Sequence, residues 1–176
     1  MRSIGFTGLI IISLSLIAAS PSHSQADLFV TDRASPLKPI TTELSPSMKF
    51  RGSVQVSGRF LVVQHQYDKQ APYLQLIFYP DSRSAELLPR LEGDKPVKEV
   101  QISNPEKAVL MLLDPDALEK LLKKELPSVT LRATAVIRAY EITVVCDQRW
   151  YLADLVSAST LQDVAGSPEK GRIGCG

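Results

Sequence analysis

From Phe50 to Gln66 apolar and polar side chains alternate along the chain. Val54, Val56, Phe60 and Val62 share one parity, while Ser53, Gln55, Ser57 and Arg59 share the other. A period of two over so long a run describes a β-strand with one face buried and one face wet. Gly52 and Gly58 interrupt it. Glycine inside a strand marks a bulge or a sharp bend, so the strand turns as it runs.

The segments that follow continue in the same manner. Tyr73 to Tyr79 reads as a second strand, with Leu74, Leu76 and Phe78 facing the core and Tyr73, Gln75, Ile77 and Tyr79 facing outward. Pro80-Asp81-Ser82 ends it with turn chemistry, and a polar stretch, SRSAELLPRLEGDKP, comes next. Val97 to Ser103 is a third strand, and Asn104-Pro105 signals a turn. The short apolar run Lys107 to Leu113 fits either a further strand or an early helical turn, since so short a run does not display its period; strand is the favoured reading.

A helix is expected next. Asp114 suits the cap, Pro115 the first helical position and Asp116 the positive end of the dipole. Leu118, Leu121, Leu122 and Leu126 then fall on one face, Lys120, Lys123 and Lys124 lie on the outer side, and Pro127 stops the helix. Val129 to Val145 is a long strand whose parity shifts near Tyr140, where Ile142 and Val144 take over the apolar role, so a bend is expected there. Trp150 to Ser157 forms the last strand after a turn at Cys146-Asp147-Gln148.

The N-terminus has a different character. Arg2 precedes the uncharged, Leu- and Ile-rich run Ile4 to Ala19, Pro21 breaks it, and small residues offer cleavage after Ser24 or Ala26. A positive start, a short apolar stretch and a small-x-small site describe a secretory signal peptide over residues 1–26. The run is shorter than the roughly 20 apolar residues of a spanning helix, so no stable membrane insertion is expected after cleavage. There is no cysteine near the site to carry a lipid. Export to the periplasm or medium places Cys146 and Cys175 in an oxidising compartment, where an even number of cysteines suggests a disulfide. Residues 27–48 hold three prolines and no sustained period, and read as an extended leader and not a packed element. Residues 49–162 are the folded domain, and 163–176 a C-terminal tail tethered by the disulfide.

A glycine-broken first strand, two or three shorter strands, a helix and a terminal hairpin together resemble the OB-fold. That fold is a five-stranded Greek-key barrel with a helix between its third and fourth strands. The expected class is therefore mainly β (α+β), a small antiparallel OB-like barrel of five or six strands with one helix. The sixth would be Lys107 to Leu113; a small antiparallel sheet with one helix packed on it is the alternative architecture. The resemblance is one of topology, and it implies a ligand face over the second and third strands.

Charge and composition narrow the function. The 20 Lys and Arg face 19 Asp and Glu, and Arg2 is the only charge before Asp27, so the exported chain is balanced. A neutral domain has no electrostatic footprint for nucleic acid. Two His and two Cys fall short of a zinc cluster of the finger type, and no cofactor or metal is expected. His65 stands between Gln64 and Gln66 with no nucleophile motif beside it, and reads as a solvated strand end. Asp114 and Asp116 lack the glycine and the bidentate glutamate of a calcium loop, and capping accounts for them. Asp147, Arg149 and Asp154 read as a structural ion-pair group.

The candidate ligand-binding residues are Gln55, Arg59, Tyr73, Gln75 and Tyr79 on the outer faces of the first two strands. Flat rings stack, and amides and guanidinium donate hydrogen bonds, a combination suited to a saccharide or an envelope protein. The expected function is an exported, non-enzymatic binding or scaffold module of the cell envelope. The alternative is an envelope hydrolase working with a carboxylate pair.

Overall fold

The computed structural model describes residues 29–40, 47–65, 71–146 and 148–163. The expected signal peptide, the tail with Cys175, and Asp147 lie outside the described residues. Among the described residues nine strands and three helices follow in chain order: β1 (Phe29–Val30), β2 (Lys38–Pro39), β3 (Ser47–Arg51), β4 (Ser53–His65), β5 (Tyr73–Pro80), α1 (Ser82–Ala85), β6 (Arg90–Leu91), β7 (Val100–Ile102), α2 (Pro105–Leu112), α3 (Pro115–Leu122), β8 (Ser128–Val145) and β9 (Gln148–Asp163).

Five of these strands close a barrel. β4 pairs with β5, β5 with β7, β7 with β9, β9 with β8, and β8 returns to β4. All these pairings are antiparallel except β7 with β9. The helices α2 and α3 stand between β7 and β8 in the chain, so the order of elements is that of an OB-like barrel. The bend foreseen at Gly52 is real: its φ is +104°, and β3 and β4 on either side of it both pair with β8. Gly58 serves a different purpose. A side chain there would run into the Tyr79 carbonyl oxygen and the Phe78 ring, so the strand cross-over requires bare backbone.

The interior is built by parity. Val54, Val56, Phe60 and Val62 from β4 meet Leu76 and Phe78 from β5, with the Phe60 and Phe78 rings 4.7 Å apart. Leu131, Ala133, Ala135 and Ile137 of β8 complete that side, and Tyr140 and Ile142 follow after an irregularity between Arg138 and Glu141. Ala139 sits in that irregularity at φ 50°, which is how the strand changes parity where the sequence shifts its apolar set. Val144 does not take over as expected. It is exposed, near the end of the hairpin beyond the packed interior.

The run Lys107 to Leu113, read as a strand, is the helix α2, which spans Pro105–Leu112, with Leu113 extended just after it. Pro105 occupies its first turn, and Ala108, Val109 and Leu112 form the buried face while Leu110 and Met111 look outward. Two faces of one apolar helix produce a continuous apolar run, which is why period could not be read there. The barrel therefore has five strands, and two helices span the connection. α3 is capped as expected, its Asp114 carboxylate accepting from the Ala117 N–H at 2.8 Å. It ends at Leu122, short of Pro127, because Lys124 turns left-handed at φ 60°; Leu122 is consequently exposed.

The leader is extended, yet it is packed. β1 pairs with β6 and β2 with β3. Leu37 is 3 % exposed, and Phe29 sets its ring edge-on to Phe50 at 5.2 Å. Phe50 in turn meets Tyr140 at 5.5 Å, and the Tyr140 hydroxyl donates to the Pro89 carbonyl at 2.8 Å. Arg90, within the polar stretch, grips Asp32 with two bonds of 2.7 and 3.0 Å. That bidentate pair holds the Asp32 carboxyl below its ordinary range and the Arg90 guanidinium above its own. Isolated apolar residues among prolines gave no period, yet Phe29 and Leu37 are each seated against the barrel, while Ile40 is exposed.

Candidate functional site

The outer face of β4 and β5 carries most of the sequence-derived site. Register sets Arg59 opposite Tyr79, Leu61 opposite Ile77, Val63 opposite Gln75 and His65 opposite Tyr73. The Arg59 guanidinium lies over the Tyr79 ring at 5.1 Å from its centroid, a cation–π arrangement that fixes both side chains. Tyr73 is 45 % exposed and lies against the His65 ring at 5.4 Å. The Gln75 Oε1 atom accepts from His65 Nε2 at 2.8 Å. A carbonyl oxygen only accepts, so that ring nitrogen carries the hydrogen.

Gln55 does not join this group. It is exposed on β4 opposite Val136, beyond the last β4–β5 pair at Gly58 and Pro80. It lies four residue steps along the strand from Arg59, a distance of about 13 Å. Ile77 also departs from expectation. Its parity is outward, yet it is buried, as is its cross-strand neighbour Leu61, and neither belongs to the interior cluster. The outer face thus has an apolar centre flanked by Arg59 with Tyr79 on one side and Gln75 with Val63 on the other.

Beside this face lies a feature that strand parity alone did not assemble. A shallow depression with room for about 20 Å³ is lined by Gln75, Ile77, Glu99, Gln101, Arg149, Trp150 and Tyr151. These come from β5, from β7 and its approach, and from β9, which the barrel closure brings side by side. Gln101 projects outward because Val100 and Ile102 are buried on the opposite parity. Trp150, the only tryptophan of the chain, is half-buried here. Its rarity was the available signal; its neighbours on β7 were not visible, because a parallel pairing between distant segments sets them side by side.

The ionic groups nearby are bound into the frame. Arg149 approaches Asp94 at 3.4 Å, on the β6–β7 connection; Asp147 of the ion-pair group expected from sequence lies outside the described residues. Burial, and then Asp94, push the Tyr151 hydroxyl above its usual range, while its ring stacks on Tyr140 at 6.3 Å. Asp114 is engaged as a cap and Asp116 holds Lys120 at 2.7 Å, which raises the lysine's proton affinity. No cluster of three or more His, Cys, Asp and Glu suited to a metal occurs among the described residues. Likewise, no helix among them is long and apolar enough to cross a membrane. No family model, curated protein or solved structure matches this chain.

Proposed function

We propose that the chain is an exported, non-enzymatic binding or scaffold module of the cell envelope, acting through the outer face of its barrel. The observation that carries this reading is the gathering of Arg59, Tyr73, Gln75 and Tyr79 on one outer surface of an OB-like barrel. Aromatic rings, an amide and a guanidinium on a rigid sheet form a pre-organised contact surface, whereas the carboxylates Asp114 and Asp116 are committed to capping and to an ion pair. Export is supported by the basic start, the apolar run and the small-residue sites of residues 1–26. The same reading joins Cys146, at the β8–β9 turn, to Cys175 and so ties the C-terminal tail to the barrel.

Protein recovered from the producing cell is incubated with isolated envelope fractions, and retention is measured. The combined change Arg59→Ala and Tyr79→Ala is expected to abolish most retention, while Gln55→Ala, standing apart, leaves it near wild type. Retention indifferent to the double change, or steady turnover of envelope material by the purified protein, would refute the reading.

A further inference from the structure

We infer that the groove between α2 and α3 is where a second copy of this chain docks, the two copies related by a two-fold axis with their α3 helices antiparallel. The groove has a volume of about 490 Å³ and is lined by Leu110, Leu113, Leu118 and Leu122 together with Glu119 and Lys123. None of these belongs to the outer face of β4 and β5, so the inference goes beyond the binding reading of that face. Leu110 is 69 % exposed and Leu122 50 %, and Met111 joins them at the surface. Single apolar residues scattered over a surface need no explanation, but a set gathered along one groove marks a contact site.

The order of charges along α3 selects the occupant. Asp116 and Glu119 precede Lys120 and Lys123, so the helix begins acidic and ends basic. A second α3 turned end for end sets its acidic half against the basic half of the first. With the axis midway along, Leu118 of each copy meets Leu122 of the other, and Glu119 comes level with Lys123 to within about one residue rise, roughly 1.5 Å. Within one copy Lys123 already pairs with Glu119 at 2.5 Å. Across the axis these two pairs form a ring of four alternating charges, and a network of this kind holds better than an isolated surface pair. No long-range repulsion opposes the approach, since the chain beyond Arg2 has as many acidic as basic residues. A lipid surface suits the groove less well, because residues 105–126 hold five acidic and four basic side chains and offer no surplus of cations to anionic headgroups. Two eight-residue helices supply fewer contacts than the roughly 20–30 residues a side of a standard interface, so the pair should be reversible, with a dissociation constant on the order of 10 μM.

The test is sedimentation of the protein recovered from its producing cell, from about 1 to about 300 μM at low salt, where the mass should rise from one chain toward two. Leu110→Asp and Leu122→Asp, both at exposed positions, should each weaken pairing about tenfold or more with far-UV circular dichroism unchanged. Glu119→Lys and Lys123→Glu should each weaken it similarly, because like charges then meet twice across the axis. An equimolar mixture of those two variants should restore pairing, since each carries the sign the other needs. A single chain at every concentration, pairing indifferent to the leucine changes, or a mixture no better than either charge variant alone overturns the inference. So does a single chain whose Leu110 instead governs binding to phosphatidylglycerol vesicles or cross-linking to another envelope protein, which would give the groove a different occupant. Envelope retention through Arg59 and Tyr79 is read separately, so the failure of either proposal leaves the other standing.

Discussion

Leu76→Ala tests the barrel interior at its most informative point. Leu76 is completely buried, faces Val62 across the β4–β5 ladder, and belongs to the interior cluster with Phe60 and Phe78. Truncation removes three carbons, which in transfer terms alone costs about 2.4 kcal/mol at roughly 0.8 kcal/mol per carbon. The cavity adds to this, because β5 is hydrogen-bonded on both sides and the closed wall cannot collapse inward freely. A total of about 4 kcal/mol is expected, toward the upper end of the range of roughly 2–5 kcal/mol for such changes. Urea unfolding followed by Trp150 fluorescence measures it, with the slope against urea unchanged. Tyr73→Ala, at a position 45 % exposed, is the control and should cost less than about 1 kcal/mol. A loss below about 1 kcal/mol for Leu76→Ala, or a larger one for Tyr73→Ala, would mean the strand is turned by one residue and would refute the reasoning.

Gly52→Ala should destabilise the protein by about 1–3 kcal/mol, since φ is +104° and a Cβ would stand 2.6 Å from the Pro36 carbonyl oxygen; thermal unfolding reads it. The Asp32 carboxyl is made more acidic by Arg90, so its stabilising contribution is full above the ordinary carboxylate range and declines as pH falls below about 4. Protection of the Phe29 and Val30 amides, taken relative to their intrinsic exchange rates, should therefore fall in acid, and Asp32→Asn should remove that dependence while lowering protection at neutral pH. Peptide mapping without reductant should recover Cys146 linked to Cys175, and reduction should lower stability by roughly 3–4 kcal/mol for a loop of about 30 residues. Separate, unlinked peptides would remove the disulfide.

The β architecture was legible because its signals are local. Alternation in β4 and β5 named the inward residues, Gly52 marked the bend and the Asp114-Pro115 pair marked a helix start. Three kinds of feature escaped. The apolar run of α2 buries one face and exposes Leu110 at 69 %, so composition concealed its helical period. The packing of residues 29–40 depends on single anchors, Asp32 to Arg90 and Phe29 to Phe50, which are separated widely in the chain and leave no pattern in it. The candidate surface was half legible: parity grouped Tyr73, Gln75 and Tyr79, but the meeting of Gln101 with Trp150 is a product of parallel pairing between β7 and β9. Such a pairing joins distant segments, and no local rule announces it.

The two-residue strand β2 has a consequence for how the protein survives among its neighbours. It is the terminal member of the seven-stranded ladder, whose other end closes through β9 onto β8. A long open border would invite the border of another molecule, and copies could then stack through their backbones. Here the border consists of Lys38 and Pro39, both exposed. Proline offers no N–H to a newcomer and the lysine ammonium resists burial. Were Pro39 and Lys38 replaced by valines, this short margin would acquire the donors and apolar side chains of a template, and backbone-mediated stacking of copies should set in at lower concentration.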